Sequence, residues 1–207
     1  MTSVVPLIER KQKAARERIV RAAAELFAER DFDSVSVSDI AERAEVGRTT
    51  FFRHFGDKQE VVFAREQAIL DALTLENLGT APTDARSAAG ALRAVQPLFL
   101  QVCAHISEDP DEYRIHEQLV EGNIMLQGRG AAKAQLIARR LGALLVENGW
   151  DESVASFASQ IALACYETAR ATAQPENLVQ ATRDAFETAL RLGAEGAKGP
   201  EGADAAT

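Results

Sequence analysis

Residues 36 to 62 read SVSDIAERAEVGRTTFFRHFGDKQEVV. Ser36, followed three positions later by Asp39, has the pattern of a capping box, in which each residue's side chain satisfies the other's backbone N–H at a helix start. Val35 and Ile40 flank it at the positions of a hydrophobic staple, so a short helix is expected from Ser36 to about Ala44. The tripeptide EVG then turns the chain, and Gly47 is acceptable as the N-cap of a further helix from Arg48 to Phe55. In that helix Phe51 and Phe55 share one face and should pack on the helices before it. Arg48 and Thr50 lie in its exposed first turn, with Thr49, Phe52 and Arg53 pointing largely outward. Eight residues make a helix about 12 Å long, which matches a DNA major groove about 12 Å wide. Helix, three-residue turn, helix is the helix-turn-helix arrangement, whose second helix reads base edges. The same pattern also suits a plain corner between two helices of a bundle.

Working outward toward the N-terminus, Ile19, Ala22, Ala23, Leu26 and Phe27 recur at helical spacing, so a helix is expected from about Lys11 to Arg30. RDFD breaks it, with Asp31 placed where a left-handed residue would end the helix. Within RKQKAARERIVR, six cations (Arg10, Lys11, Lys13, Arg16, Arg18 and Arg21) face one Glu17. That run reads either as a solvated face or as an electrostatic footprint for a polyanion. The whole chain has a formal net charge of −8, but residues 1 to 65 carry +1 and residues 66 to 207 carry −9. A polyanionic partner should therefore meet the N-terminal third.

The segment 36 to 62, with RERIVRAAAELFAERDF before it, resembles the DNA-binding region of the TetR family of transcriptional regulators. The resemblance spans about residues 12 to 65 and runs through three helices and both connections. The family's alanine, glycine, valine, serine at the turn appear as Ala44, Glu45, Val46 and Gly47, so glutamate replaces the turn glycine and glycine the capping serine. Phe51 and Phe52 stand where the family often has leucine and tyrosine, so the hydroxyl commonly aimed at a phosphate is absent. The resemblance implies an all-α fold of about nine helices: an N-terminal three-helix helix-turn-helix domain and a C-terminal helical domain for ligand binding and dimerisation. Arg48 is a candidate for guanine O6 and N7, with Thr49 and Arg53 as further base-edge candidates, and the Phe52 ring faces sugar or a thymine methyl. By resemblance Thr50, His54 and Lys58 position the DNA backbone, and His54 reads equally as a packed imidazole. Ser36 offers a helix N-terminus to a phosphate. Lys13 and Arg16 add nonspecific attraction.

The remaining two thirds of the 207 residues hold no second DNA motif, repeat or catalytic cluster. We expect a flexible arm over 1–10, the DNA-binding domain over 11–56, a connecting helix over 57–79, an effector and dimerisation domain over 80–193 and a disordered tail over 194–207. Helices are expected at about 84–108, 110–127, 130–148, 151–174 and 176–193, separated by Pro110, QGRG, NGWD and QPEN. Helix 151–174 carries one stripe of Val154, Phe157, Ile161 and Cys165 and a second, mostly small, of Ala155, Ser159, Ala162, Tyr166 and Ala169. By resemblance the last two helices pair with their copies in a homodimer. Such a dimer places two reading helices about 34–36 Å apart on palindromic double-stranded DNA. For an unknown small, mostly hydrophobic effector the candidates are Gln96, Phe99, Cys103, Tyr113, His116, Leu119 and Asn123, with Pro97 kinking its helix; the same residues also suit an ordinary core.

Neither a metal nor another cofactor is expected. No catalytic triad, phosphate loop or ligand spacing points to an enzyme. Cys103 and Cys165 read as buried thiols. No apolar run reaches the roughly 18 residues of a membrane span, and MTSVVPLIERKQK lacks the features of a signal peptide, so the expectation is cytoplasmic. The expected function is a homodimeric repressor released by its effector; the alternative is a DNA-bound scaffold that recruits a protein partner.

Overall fold

The computed structural model describes residues 7–78 and 83–195, and these are all-α, with no strand among them. The first six residues of the expected arm lie outside the described residues, as does all but the start of the expected tail. Two compact units are formed: Met1–Ala68 with Asp111–Ala132, and Ile69–Pro110 with Lys133–Thr207. The helix α7, Pro110–Glu121, and the first turns of α8, Ile124–Glu147, thus pack with the N-terminal helices rather than with a separate domain spanning 80–193.

In the first unit α1 spans Leu7–Glu29, so residues 7–10 of the expected arm are helical. Asp31 does not take the left-handed conformation expected of it. With φ −55° and ψ 138° it is the N-cap of a 3-10 turn, Phe32–Ser34, and its carbonyl accepts from the backbone N and Oγ of Ser34. The helix α2, Val37–Arg43, starts as the sequence predicts: Ser36 Oγ accepts from Asp39 N at 3.2 Å and Asp39 Oδ2 from Ser36 N at 2.8 Å. The backbone and hydroxyl donors of Ser36 hold the Asp39 carboxyl below its ordinary range.

Glu45 ends α2 in the left-handed region, φ 54°. Val46 N donates to Ala41 O and Glu45 N to Glu42 O, the paired bonds of a Schellman turn. This is where glycine is normally found, because a Cβ crowds the backbone there. Glu45→Gly is therefore expected to raise stability by about 0.5–1 kcal/mol, read as a higher urea midpoint at unchanged slope.

The helix α3, Arg48–His54, follows from its N-cap Gly47. Phe51 is fully buried and Phe55 nearly so, their ring centroids 5.9 Å apart, among Ile19, Ala22, Leu26, Ile40 and Val61. The expected connecting helix is divided at Phe63 into α4, Lys58–Val62, and α5, Ala64–Ala72. Phe63 is itself buried against Phe32 and Leu126. With α4 and α5 counted separately, ten α-helices lie among the described residues, in line with the expected count of about nine.

The second unit is built on α6, Ala88–Ser107, α9, Glu152–Thr172, and α10, Leu178–Glu195. Ala155, Ala158, Ser159, Ala162 and Ala169 turn the small stripe of α9 into the interior, where bulkier residues would hold helices apart. A Cβ on Gly142 of α8 would lie 3.2 Å from Ser159 Oγ, so glycine there permits that approach. The two stripes predicted for α9 divide differently from expectation: Cys165 is buried with the small residues, whereas Phe157 is 58% exposed. No described helix is long and apolar enough to cross a membrane.

Candidate nucleic-acid interface

Two elements aim the outward residues of α3. The Schellman turn fixes the angle between α2 and α3, and Phe51 and Phe55 pin the inner face of α3 to the core. On the opposite side Arg48, Thr49, Phe52 and Arg53 are exposed, Phe52 by 49%. Phe52 meets Phe51 edge to face, centroids 5.5 Å apart, so its orientation is held by a buried neighbour. Arg53 Nη2 donates to Thr50 Oγ1 at a long 3.4 Å, which leaves the guanidinium readily redirected. Arg, Thr and Phe are suited to the acceptors of guanine, to either kind of base edge and to the thymine methyl respectively.

His54 is only partly exposed, and its Nε2 is buried with no hydrogen-bond partner. Burial first, then the charges of Arg53 and Arg16, push the imidazole below its ordinary pKa, so it is neutral near pH 7. Ser36 is exposed, but its hydroxyl is already the acceptor of the capping box.

Lys58 is directed inward. Its Nζ donates to the carbonyls of Phe32 at 2.7 Å and Val35 at 3.0 Å, approaches that of Asp33 at 3.4 Å, and sits 4.3 Å from the centre of the Phe32 ring. In this arrangement it braces the turn before α2 rather than presenting itself to a phosphate. Arg16 is likewise engaged, donating to Ala64 O and lying over the Phe55 ring, while Lys13 is exposed. Arg18 ties α1 to the carbonyl of Ala44, and Arg43 pairs with Glu25 and Glu29. Arg43's hydrogen bond holds the Glu29 carboxyl low. These contacts fix the frame beneath α3.

The candidate effector residues fall into two groups. Gln96, Phe99 and Cys103 belong to the second unit; Tyr113, His116, Leu119 and Asn123 belong to the first. Phe99 is enclosed by the rings of Tyr166 and Phe186, and Cys103 Sγ lies 3.2 Å from Thr182 Oγ1, burial raising its thiol pKa. Pro97 is exposed within a continuous α6. In the first unit His116 and Leu119 line a cleft of about 50 Å³ with Val20, Phe27 and Val62. Asn123 caps α8, its Oδ1 accepting from Met125 N and Leu126 N.

One residue that sequence reading passed over is Arg129, inside the QGRG stretch taken as a breaker. The helix α8 runs through it, and the guanidinium grips Asp57 with both nitrogens at 3.0 Å. No local signal marks it, because the two residues are 72 positions apart.

Residues 19–64 match the family described as bacterial regulatory proteins, tetR family. This N-terminal segment, less than half of the chain, is thus similar to the TetR family. Among curated relatives, the HTH-type transcriptional regulator TcmR of Streptomyces glaucescens is 41% identical over 93 residues, covering 43% of this chain and 40% of that protein. The HTH-type transcriptional repressor Rv3405c of Mycobacterium tuberculosis is 38% identical over 84 residues, covering 39% and 40%. The likeness thus spans about 40% of these relatives' length. Two solved structures share the fold over most of their length. A transcriptional regulator from Aquifex aeolicus VF5 has a TM-score of 0.53 and 19% identity, covering 86% of this chain and 99% of that one. The SmeT–triclosan complex has a TM-score of 0.57 and 17% identity, covering 94% and 99%.

Proposed function

We propose that this chain is a homodimeric DNA-binding transcriptional regulator of the cytoplasm, a repressor that leaves a palindromic operator when it binds a small, mostly hydrophobic effector. The observation that carries the reading is α3 itself, pinned on one face by Phe51 and Phe55 and offering Arg48, Thr49, Phe52 and Arg53 on the other. In this reading Arg48 and Arg53 take guanine, Thr49 takes a base edge, Thr50 and His54 position the DNA backbone, and Ser36 lies at a phosphate. Phe157 and Leu192, exposed by 58% and 68% on α9 and α10, are the apolar centre of the proposed dimer face.

The effector part of the proposal draws on SmeT, a protein of the same fold whose complex contains triclosan. The cleft beside His116 and Leu119 is about 50 Å³, well below the roughly 300 Å³ of small-molecule sites, so an effector there has to open it. A second reading, a DNA-bound scaffold with no effector, draws on the closely packed rings around Phe99 and the exposed Phe157. Release from DNA by any compound in a broad ligand screen favours the first.

Selection of duplexes from a random pool by the full chain tests the DNA part. The expected product is a palindrome whose half-sites lie about one helical turn, or a multiple of it, apart. Arg48→Ala should then lower affinity about 5- to 150-fold and relax the preference at one guanine in each half-site. A pool that emerges without enriched sequence sinks the proposal.

A further inference from the structure

We infer, resting on the regulator reading above, that His54 is a positioning residue that seats the end of α3 only while its imidazole is neutral, so that mild acid loosens α3 and weakens DNA binding. His54 is the last residue of α3, and the backbone leaves the helix at Phe55, with φ −139° and ψ 135°. Phe51 and Phe55, on either side of it in the chain, are anchored in the core, and Phe55 N closes the last turn on Phe51 O at 2.9 Å. The imidazole is partly exposed, yet its Nε2 is shut off from water and meets no hydrogen-bond partner. A neutral ring forgoes one hydrogen bond in that position. A protonated ring places a charged N–H there, which is far costlier to bury without an acceptor.

The charges acting on the ring are both positive: Arg53, on its own helix, and Arg16, on α1. Arg16 is tethered, its Nη2 donating to Ala64 O at 3.1 Å and its guanidinium lying 5.2 Å from the centre of the Phe55 ring. Of the chain's three histidines, His105 faces Glu108 at 3.0 Å and His116 faces Glu66 at 3.5 Å, and only His54 has no carboxylate partner. The carbonyl end of α3 favours a cation, but burial and the two guanidiniums outweigh it and hold the imidazole below its ordinary 6.5. The unfolded chain therefore takes the proton more readily than the folded one. Stability is full above about pH 6.5 and is lost as the pH falls below it, until the native-state pKa is passed. A charged ring escapes by bringing Nε2 to water. With Phe51 and Phe55 fixed, that movement falls on the last turn of α3, which carries Arg53.

A pH series on the full chain, first without DNA, tests the inference. The His54 ring signal in an NMR titration should have its midpoint below 6.5, and the urea midpoint of the wild type should fall between about pH 7 and about pH 5.5. His54→Gln, neutral throughout, should lose that fall, whereas His105→Gln, changed at an exposed histidine, should keep it. On the selected operator the wild type should lose affinity about fivefold or more over the same range, since one proton per subunit changes binding by at most about tenfold per pH unit. His54→Gln should hold its own affinity to within about twofold across that range. A His54 midpoint at or above 6.5, or a profile in His54→Gln as steep as the wild type's, overturns the inference. So does operator affinity that rises on acidification, which would make the charged imidazole a phosphate contact. Should His54→Gln lose its cooperative melt, Arg53→Gln carries the comparison: removing that charge should raise the His54 midpoint toward 6.5, and an unmoved midpoint overturns the inference. A wild type that selects no duplex overturns the regulator reading and this inference with it, whereas failure of the DNA-free profiles overturns the inference alone.

Discussion

Phe51→Ala is expected to destabilise the first unit by about 3–5 kcal/mol, whereas Phe52→Ala one position on should change stability by no more than about 0.5 kcal/mol. Phe51 has no exposed surface and sits at the junction of α1, α2 and α3. Removing its ring leaves a void walled by Ile19, Leu26, Ile40 and Phe55, which are held by their own contacts and close over it incompletely. Phe52 has half its surface in water and loses only an edge contact. Domains are stable by only about 5–15 kcal/mol in total, so the first variant should show an early loss of helical ellipticity in urea and the second should melt like the wild type. Operator affinity should fall in both, through unfolding in the first and through lost base contact in the second. Equal stability of the two variants would mean that α3 is not seated as described.

The second large effect is expected from Phe157→Asp. Phe157 is 58% exposed on α9, while the opposite side of that helix fills the interior with Ala155, Ala158, Ser159 and Ala162. A charge at this position therefore leaves the fold of one chain intact, with a stability change of about 0.5 kcal/mol or less. In a dimer the same carboxylate would be removed from water with no compensating partner, which is costly. Sedimentation should show a monomer. Without the dimer, the second half-site loses its effective concentration, an advantage of about 10²–10⁴-fold. Operator affinity should drop by that factor while binding to a single half-site is unchanged. A variant that stays dimeric would place the interface elsewhere.

The parts of this molecule that could be read from sequence are those set by neighbours in the chain. The capping box of Ser36 and Asp39, the N-cap at Gly47 and the shared face of Phe51 and Phe55 depend on spacings of three and four, and the structure contains all of them. The family resemblance reached the same segment because those local signals are its signature. Distant contacts set the rest. Gly128 and Gly130 look like breakers, yet α8 continues through them, and at Gly130 the missing side chain makes room for Phe63, far away in sequence. The break comes earlier, where Asn123 caps a new helix after Gly122. The expected connecting helix divides at Phe63, whose ring is buried against Phe32 and Leu126.

Side-chain direction was the least legible feature of the candidate site. The family resemblance makes Lys58 a DNA-backbone contact, and only the positions of the Phe32 and Val35 carbonyls reveal that Lys58 turns inward. Sequence places Phe99 and His116 in one candidate set, while the fold assigns them to different units. That division depends on where α7 packs, which periodicity within α7 does not encode.

The central claim is that the exposed face of α3 reads the major groove in two symmetric half-sites. The most direct test is methylation interference on the selected operator, in which guanine N7, a major-groove atom, is methylated before the full chain is added. Binding should be lost when N7 is blocked at guanines placed symmetrically in the two half-sites, and Arg48→Ala should be insensitive at one of those positions in each. Binding that tolerates N7 methylation throughout the operator would contradict the account.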